Sequence, residues 1–463
     1  MLNLKISDVA LWTRGNLRGN DVDVRGVFTD TRKPVSGALF IALAGEQFDA
    51  HDFIAAAQAG GAAAALVSRP LAIELPQVVV SDTTLALGDL ASAIRAQRRA
   101  QVVGITGSNG KTTVKTLLAS ILELHGRTHV NPGNLNNEIG LPLSLLALPA
   151  DAQYAVFEMG AGKPGDIAYL AAIARPEIGL VNNIAPAHLE RMGTLEGIAE
   201  TKGAIYAALP PHGTAIINAD DDFAGMFSTM AGTHRRLTFG IESPADVRGE
   251  ILAGGKSSRF ALSLPRASVE IALPLSGRHN VMNALAAAAC AWALDVPVAT
   301  IERGLQAVAP VKGRLQRHAM PGGWTLIDDS YNANPGSTEA AIDALAAEPG
   351  EAWLVLGDMR ELGREARALH ARVGALARER GIARLYTVGE LAAAAADAFG
   401  TNGTKFEDQG ALTSALEADL RAGVRVLVKG SRGSAMDRIV RALLERAAPG
   451  KSNGNGGGAR NAA

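Results

Sequence analysis

The chain has 463 residues, 48% of them hydrophobic and 20% charged, a composition that suits soluble globular structure in several domains of ~150 residues each. Lys plus Arg total 45 against 46 for Asp plus Glu, a formal net charge of -1, so the charge balance asks for neither a nucleic-acid nor an anionic-membrane partner. The single cysteine, Cys290, excludes an intrachain disulfide and fits a reducing compartment.

Lys5 and Asp8 interrupt the opening stretch where a signal peptide needs unbroken apolar sequence. No charge-poor apolar run reaches the ~18 residues that span a bilayer. A cytoplasmic monomer without membrane insertion is expected. Before about Arg99 the pattern is mixed α/β. Residues 38–43 and 78–80 read as short strands, and residues 53–65 as a helix broken by Gly60 and Gly61.

From Gln101 strands alternate with helices, which argues for a mostly parallel sheet. The apolar strand at 102–106 runs into Gly107-Ser108-Asn109-Gly110-Lys111-Thr112-Thr113. A helix follows, with Val114, Leu117, Leu118, Ile121 and Leu122 on one face and Gly126 as its stop. Strand, glycine-rich turn and helix are the context of a phosphate loop, the alternative being an ordinary glycine turn before a helix: in a phosphate loop backbone N–H groups close around phosphate oxygens and the helix N-terminus adds its positive end. Lys111 is placed to neutralise the β- and γ-phosphates and the Thr112 hydroxyl to bind Mg²⁺. Ile105 stands where the general motif has its first glycine.

The strand at 154–157 ends in Glu158-Met159-Gly160, and a carboxylate at the carboxyl end of a parallel strand faces the ligand crevice. It reads either as a Mg²⁺ ligand or as a solvated strand-end glutamate. The next strand, 178–181, leads to a loop carrying His188, a residue type that in loops is more often surface than ligand. Beyond it Leu195, Ile198, Lys202, Ile205 and Leu209 recur at helical spacing, so Lys202 stands on an apolar stripe. Its stem either snorkels to the helix edge or is buried with a neutral amine. A neutral amine can add CO₂, and the resulting carbamate would offer oxygens to a second Mg²⁺.

Short strands punctuated by Pro265, Pro274 and Gly277 precede a helix beginning near Asn280, with Cys290 as a small core residue inside it. A further alternating block opens at Trp324, with strands at 353–356, 385–388 and 424–428 and a closing helix at 435–446. The Ser/Asn/Gly-rich tail from Gly450 is expected to be disordered and without function.

Taken in order, these segments resemble the Mur ligase family from about Asp30 to Arg441. The resemblance rests on Asp30-Thr31-Arg32, the phosphate loop, residues 131–137 with Asn134, Asn136 and Asn137, Glu158-Met159-Gly160, and residues 187–190 with Lys202. It continues through residues 277–280 with Asn283, Gly313-Arg314, residues 328–335, residues 356–359 and Lys429-Gly430-Ser431-Arg432. The family keys its phosphate loop on the second glycine, here Gly107, so Ile105 is no departure from it.

The resemblance implies an α/β fold of three domains: a small mixed α/β N-terminal domain binding the UDP-substrate (residues 1–99), a central P-loop parallel-sheet ATPase domain (100–314) and a Rossmann-like α/β C-terminal domain (315–449), with the tail at 450–463. It implies ATP and Mg²⁺ as cofactors. Thr112, Glu158, His188 and a carbamylated Lys202 would serve the metal, and Lys111 with Gly107, Ser108, Asn109, Gly110 and Thr113 the phosphates. Asn280 and Asn283 would form the adenine pocket. Arg314, Asp329, Asn332 and Asn334 would close over the nucleotide, Thr31 and Arg32 would hold the uridine diphosphate, and Asn134, Asn136 and Asn137 the sugar-peptide. Bland readings stand beside several of these: Asn280 and Asn283 as helix caps, Asn332, Asn334 and Pro335 as turn residues, Arg314 as a surface charge.

Within the family, the Asp-Asn-Pro-Arg signature of the diaminopimelate-adding branch is absent, and Tyr331-Asn332-Ala333-Asn334 resembles the dipeptide-adding branch. That implies D-alanyl-D-alanine as the amine and UDP-N-acetylmuramoyl-tripeptide as the acid, joined through an acyl phosphate. The competing readings are a folylpolyglutamate-synthase-like ligase, a non-catalytic paralogue, and a P-loop switch. The switch would carry an Asn-Lys-x-Asp signature, which is absent.

Overall fold

A computed structural model describes residues 2–45, 48–186, 189–255 and 257–447. The chain forms two compact units, residues 1–309 and 310–463. His188 and the tail expected to be disordered lie outside the described residues.

The first unit contains two large sheets. Its N-terminal part is a five-stranded sheet ordered Asn16–Arg18, Gln77–Val79, Ala64–Val67, Leu39–Ile41 and Val27–Phe28. The first strand is antiparallel to its neighbour and the others are parallel. One expectation fails here. The Ala-rich stretch at 53–65 is helical only over Ile54–Ala59, and Ala64–Val67 is a fully buried strand. Gly61 adopts φ +87, which ends the helix, and pairing between two parallel neighbours overrides the helix propensity of alanine.

Next comes a nine-stranded sheet. The elements that matter for the site are β1 (Gln101–Thr106), α1 (Lys111–Leu122), β2 (Tyr154–Glu158), β3 (Ile178–Val181), α2 (Leu195–Ala207) and α3 (Arg278–Ala293). The order runs Thr128–Val130, β2, β1, β3, Thr214–Asn218, Arg235–Gly240, Val247–Ala253, Ser258–Leu264 and Ala267–Leu273. The pairs from Thr128–Val130 through Val247–Ala253 are parallel, and the last two pairs are antiparallel. β1, β2 and β3 are buried along nearly their whole length, as strands covered on both faces must be. α1 and α3 pack on one face over Val103, Ile105, Val156 and Leu180. α2 packs on the other, with Phe157, Val181, Ile198 and Ile205 in a common core.

The second unit is a six-stranded sheet. Its key elements are β4 (Thr325–Asp329), α4 (Pro335–Ala346), β5 (Glu351–Gly357) and β6 (Val424–Lys429). The order is Gln316–Ala319, β4, β6, β5, Arg384–Val388 and Gly403–Phe406, all parallel except the first pair. β6 inserts between β4 and β5, so the connections leaving adjacent strands diverge. That is the switch point at which open α/β sheets form a crevice.

Candidate active site

The turn after β1 is built on two glycines whose replacement would be strained. Gly107 has φ +142 and Gly110 has φ +79, conformations that L side chains avoid. A Cβ on Gly110 would also stand 2.2 Å from Asn283 Oδ1 and 2.5 Å from Asn182 Nδ2. The turn is pinned to the loop after β3: Ser108 N donates to Asn183 O at 2.8 Å, Asn109 N to Asn183 Oδ1 at 2.9 Å, and Ser108 Oγ to Ala185 O at 3.0 Å. Gly110 is the N-cap of α1, so amides of that helix's first turn point into the concavity without an intrahelical carbonyl. Lys111 curls back, its Nζ donating to Gly107 O at 2.7 Å and Ser108 O at 3.3 Å.

Thr112 and Glu158 meet across the ends of β1 and β2, the threonine hydroxyl donating to Oε2 at 2.8 Å. Asn136 Nδ2 donates to the other carboxylate oxygen at 2.8 Å. Glu158 is only 3% exposed, so the solvated strand-end reading does not apply. A hydroxyl and a carboxylate, both hard oxygen donors, fit a Mg²⁺ that keeps water or phosphate oxygens in its remaining positions. Among the described residues, which do not include His188, no cluster of three or more His, Cys, Asp or Glu could hold a metal.

Lys202 is 1% exposed on α2. Burial holds its amine well below the ordinary lysine range, Lys111 repels the protonated form further, and Asp166 opposes both. The snorkelling reading is therefore excluded, and the amine is of the kind that carbamylation needs.

Asn280 and Asn283 lie inside α3, whose N-cap is Gly277, so neither is a helix cap. Both are buried. Asn283 Oδ1 accepts from Asn182 Nδ2 at 2.9 Å, and its Nδ2 donates to Asn280 Oδ1 at 3.2 Å. Among the described residues, Thr106 Oγ1 and Asn182 Oδ1 are buried oxygens without a partner. An amine or amide donor from a nucleotide would satisfy such capacity.

Of the other expected residues in this unit, Asn137 Oδ1 accepts from Gly140 N at 2.9 Å, and Asn134 is exposed. Arg32 is exposed and its side chain donates to Asp30 at 2.9 and 2.8 Å. That pairing holds the Asp30 carboxyl down to about 2.

In the second unit the expected residues gather at the carboxyl ends of β4 and β6. Lys429 Nζ donates to Asp329 Oδ2 at 2.5 Å and to Asn332 O at 3.0 Å. Burial lowers the Lys429 amine, Asp329 opposes that, and Arg314 adds to it. The guanidinium of Arg314 lies 4.3 Å from the Tyr331 ring centre and that of Arg432 5.3 Å from it, a cation–π arrangement rather than a solvated charge. Asn334 is the N-cap of α4, its side chain accepting from Ser337 N at 2.8 Å in a capping box.

Sequence reasoning passed over Lys115, Asn131, Asn182 and Asn183. Lys115 carried a usable signal, since at three and seven residues before Leu118 and Leu122 it stands on the apolar stripe of α1, as Lys202 does on α2. Asn131 lies in the 131–137 segment already singled out, whereas the partners of Asn182 and Asn183 are remote in sequence.

With this geometry in view, three family models match the chain: the Mur ligase family catalytic domain over residues 23–108, the Mur ligase middle domain over 105–291, and the Mur ligase glutamate ligase domain over 313–432. The UDP-N-acetylmuramoyl-tripeptide--D-alanyl-D-alanine ligase of Escherichia coli (strain K12) is 45% identical over 96% of this chain and 99% of its own length. A crystal structure of MurF from Acinetobacter baumannii superposes with TM-score 0.91 at 36% identity, covering 96% of this chain and 99% of that one. A MurF ligase from Thermotoga maritima in complex with ADP matches with TM-score 0.82 at 29% identity, over 92% of this chain and 99% of that one.

Proposed function

The chain belongs to the Mur ligase family, and from that premise we propose that it is an ATP-dependent ligase joining D-alanyl-D-alanine to UDP-N-acetylmuramoyl-tripeptide in peptidoglycan precursor synthesis. The observation that carries this reading is the end-to-end 45% identity with a relative of that name. The ADP complex of a relative with the same fold supports nucleotide binding, and the geometry around Gly107 to Thr113 suits it. No helix among the described residues is long and apolar enough to cross a membrane.

The labour divides among the residues by position. Amides of the turn and the first turn of α1 hold the triphosphate, and Lys111 swings from its loop carbonyls onto the β/γ oxygens. The γ-phosphoryl group passes to the terminal carboxylate of the tripeptide, giving an acyl phosphate and ADP. The neutral amine of D-alanyl-D-alanine then attacks that carbonyl carbon and phosphate leaves. Positioning and neutralisation of charge do most of the work in such transfers. Mg²⁺, held by Thr112, Glu158, His188 and a carbamylated Lys202, would supply Lewis-acid charge at the transferring phosphoryl group. Asn280 and Asn283 line the adenine side and Thr31 and Arg32 the uridine diphosphate. Arg314, Asp329, Asn332 and Asn334 of the second unit are assigned to the nucleotide, and the acyl phosphate has to be kept from water until the amine attacks. This assignment uses residues 1–99, 100–314 and 315–449 as the substrate, ATP and closing domains.

Phosphate release with UDP-N-acetylmuramoyl-tripeptide and a panel of amines tests the reading. Turnover is expected with D-alanyl-D-alanine and little with free diaminopimelate or glutamate. Lys111→Ala should lower it by about 10²-fold or more. Turnover that is independent of the amine, or wild-type rates in that variant, would overturn it.

A further inference from the structure

Lys115 lies one helical turn beyond Lys111 on α1, is 5% exposed, and has no part in the reaction as described. Its Nζ donates to Asn131 O at 2.8 Å and Gly133 O at 3.1 Å and stands 3.6 Å from Glu158 Oε2. Burial of the ammonium is opposed by the Glu158 carboxylate. The two carbonyls open the 131–137 loop, which is joined to Glu158 in other ways too. Asn131 Oδ1 accepts from Glu158 N at 3.0 Å, Asn131 Nδ2 donates to Glu158 O at 3.1 Å, and Asn136 Nδ2 reaches Glu158 Oε1. Glu158 in turn takes the hydroxyl of Thr112 from the phosphate loop. One carboxylate thus joins the nucleotide side of the site to the loop assigned to the sugar-peptide, and Lys115 bridges the same two parts.

We propose that Lys115 is a positioning residue that couples binding of the metal–nucleotide to binding of the UDP-linked substrate, by linking Glu158 to the carbonyls of Asn131 and Gly133. The proposal rests on the ligase reading given above. A plain staple between α1 and two carbonyls would need only a neutral donor, which is less costly to bury than an ammonium. The charge has a use because Glu158 changes its electrostatic surroundings when a divalent cation comes to it. Attraction between the carboxylate and Lys115 then weakens, and the ammonium leans harder on Asn131 O and Gly133 O. The 131–137 loop is held more firmly when metal–nucleotide is bound, so the sign of the coupling is positive. By linkage, the UDP-substrate tightens nucleotide binding by the same factor.

The test is calorimetric titration of Mg²⁺ with a non-hydrolysable ATP analogue, with and without saturating UDP-N-acetylmuramoyl-tripeptide. It is made on the wild-type chain, Lys115→Met and Lys115→Arg. In the wild type the substrate should tighten the analogue about 5-fold or more. In both variants each ligand should still bind alone, with coupling within about twofold of unity. Arginine keeps the charge, but its planar fork cannot place one compact donor among two carbonyls and a carboxylate. Should the methionine variant fail to fold, the arginine variant decides. Wild-type coupling in a folded variant overturns the proposal, as does loss of nucleotide binding alone, which would assign Lys115 to the phosphates. A wild type in which both ligands bind without coupling overturns it while leaving the ligase reading intact. A wild type that binds the analogue but not the UDP-tripeptide refutes the ligase reading itself.

Discussion

Replacing Gly110 by alanine adds one methyl group at the tightest point of the phosphate loop, and the structure sets the size of the penalty. At φ +79 an alanine is in the left-handed region, which costs about 1–2 kcal/mol. The new Cβ would stand 2.2 Å from Asn283 Oδ1 and 2.5 Å from Asn182 Nδ2, so the hydrogen bond between those buried amides must break, at about 1–3 kcal/mol. Together the two effects amount to about 2–5 kcal/mol. The same displacement disturbs Asn283 and the turn, so nucleotide affinity should fall alongside stability. Gly225→Ala is the control. It lies in the helix Ala224–Met230 with nothing within 4 Å of the added Cβ, and should be neutral or stabilising by up to about 1 kcal/mol. Denaturant unfolding of the two variants, read with ATP-analogue titration, gives the comparison. A Gly110→Ala protein with wild-type midpoint and affinity would refute both the turn geometry and the role given to Asn182 and Asn283.

Two further outcomes follow from the buried titratable groups. His370 is fully buried; its Nε2 accepts from Met359 N at 2.8 Å and its Nδ1 faces Ala366 O at 2.6 Å. Burial lowers its pKa, so between that lowered value and about 6.5 the unfolded chain binds the extra proton. Stability therefore rises with pH through this window and falls as pH drops, and His370→Gln should flatten the acid limb of a midpoint-against-pH curve; an unchanged limb would count against the buried neutral imidazole. Lys202→Met removes an amine disfavoured by burial and should raise the thermal midpoint at pH 7, by about 1 kcal/mol of stability. Ligase turnover should fall by about 10²-fold, and a destabilised or fully active variant would contradict the assignment.

The parts of the site that were legible in the sequence are those whose physics is local. The phosphate loop announces itself because strand, two glycines and helix lie within a few residues, and each position has a backbone reason to be what it is. Lys202 was legible because a lysine on an apolar stripe violates periodicity, and the same test applied to α1 would have found Lys115. The pairing of Asn182 with Asn283, 101 residues apart, leaves no trace in either segment. The strand at Ala64–Val67 was hidden by alanine, whose helix propensity says nothing about the parallel neighbours that claimed it. In the second unit the alternation of strands and helices was readable. That β6 inserts between β4 and β5 was not, because strand order depends on which apolar faces meet.

The electrostatics of the first unit make one physical sense of this arrangement. Burial, and then Lys111, disfavour the protonated form of Lys202, and the burial that lowers Lys115 is partly opposed by Glu158. A protonated Lys202 would oppose folding, so burial favours its neutral amine, while Lys115 keeps Glu158 as its partner. A triphosphate brings negative charge to the Lys111 side of the turn, and amides of the turn and of the first turn of α1 supply its donors. The state with nucleotide bound should then be better balanced than the free one, and ligand binding stabilises the folded unit by linkage. The same arrangement suits the chemistry, since donors fixed before the phosphate arrives are already oriented when the phosphoryl group begins to leave.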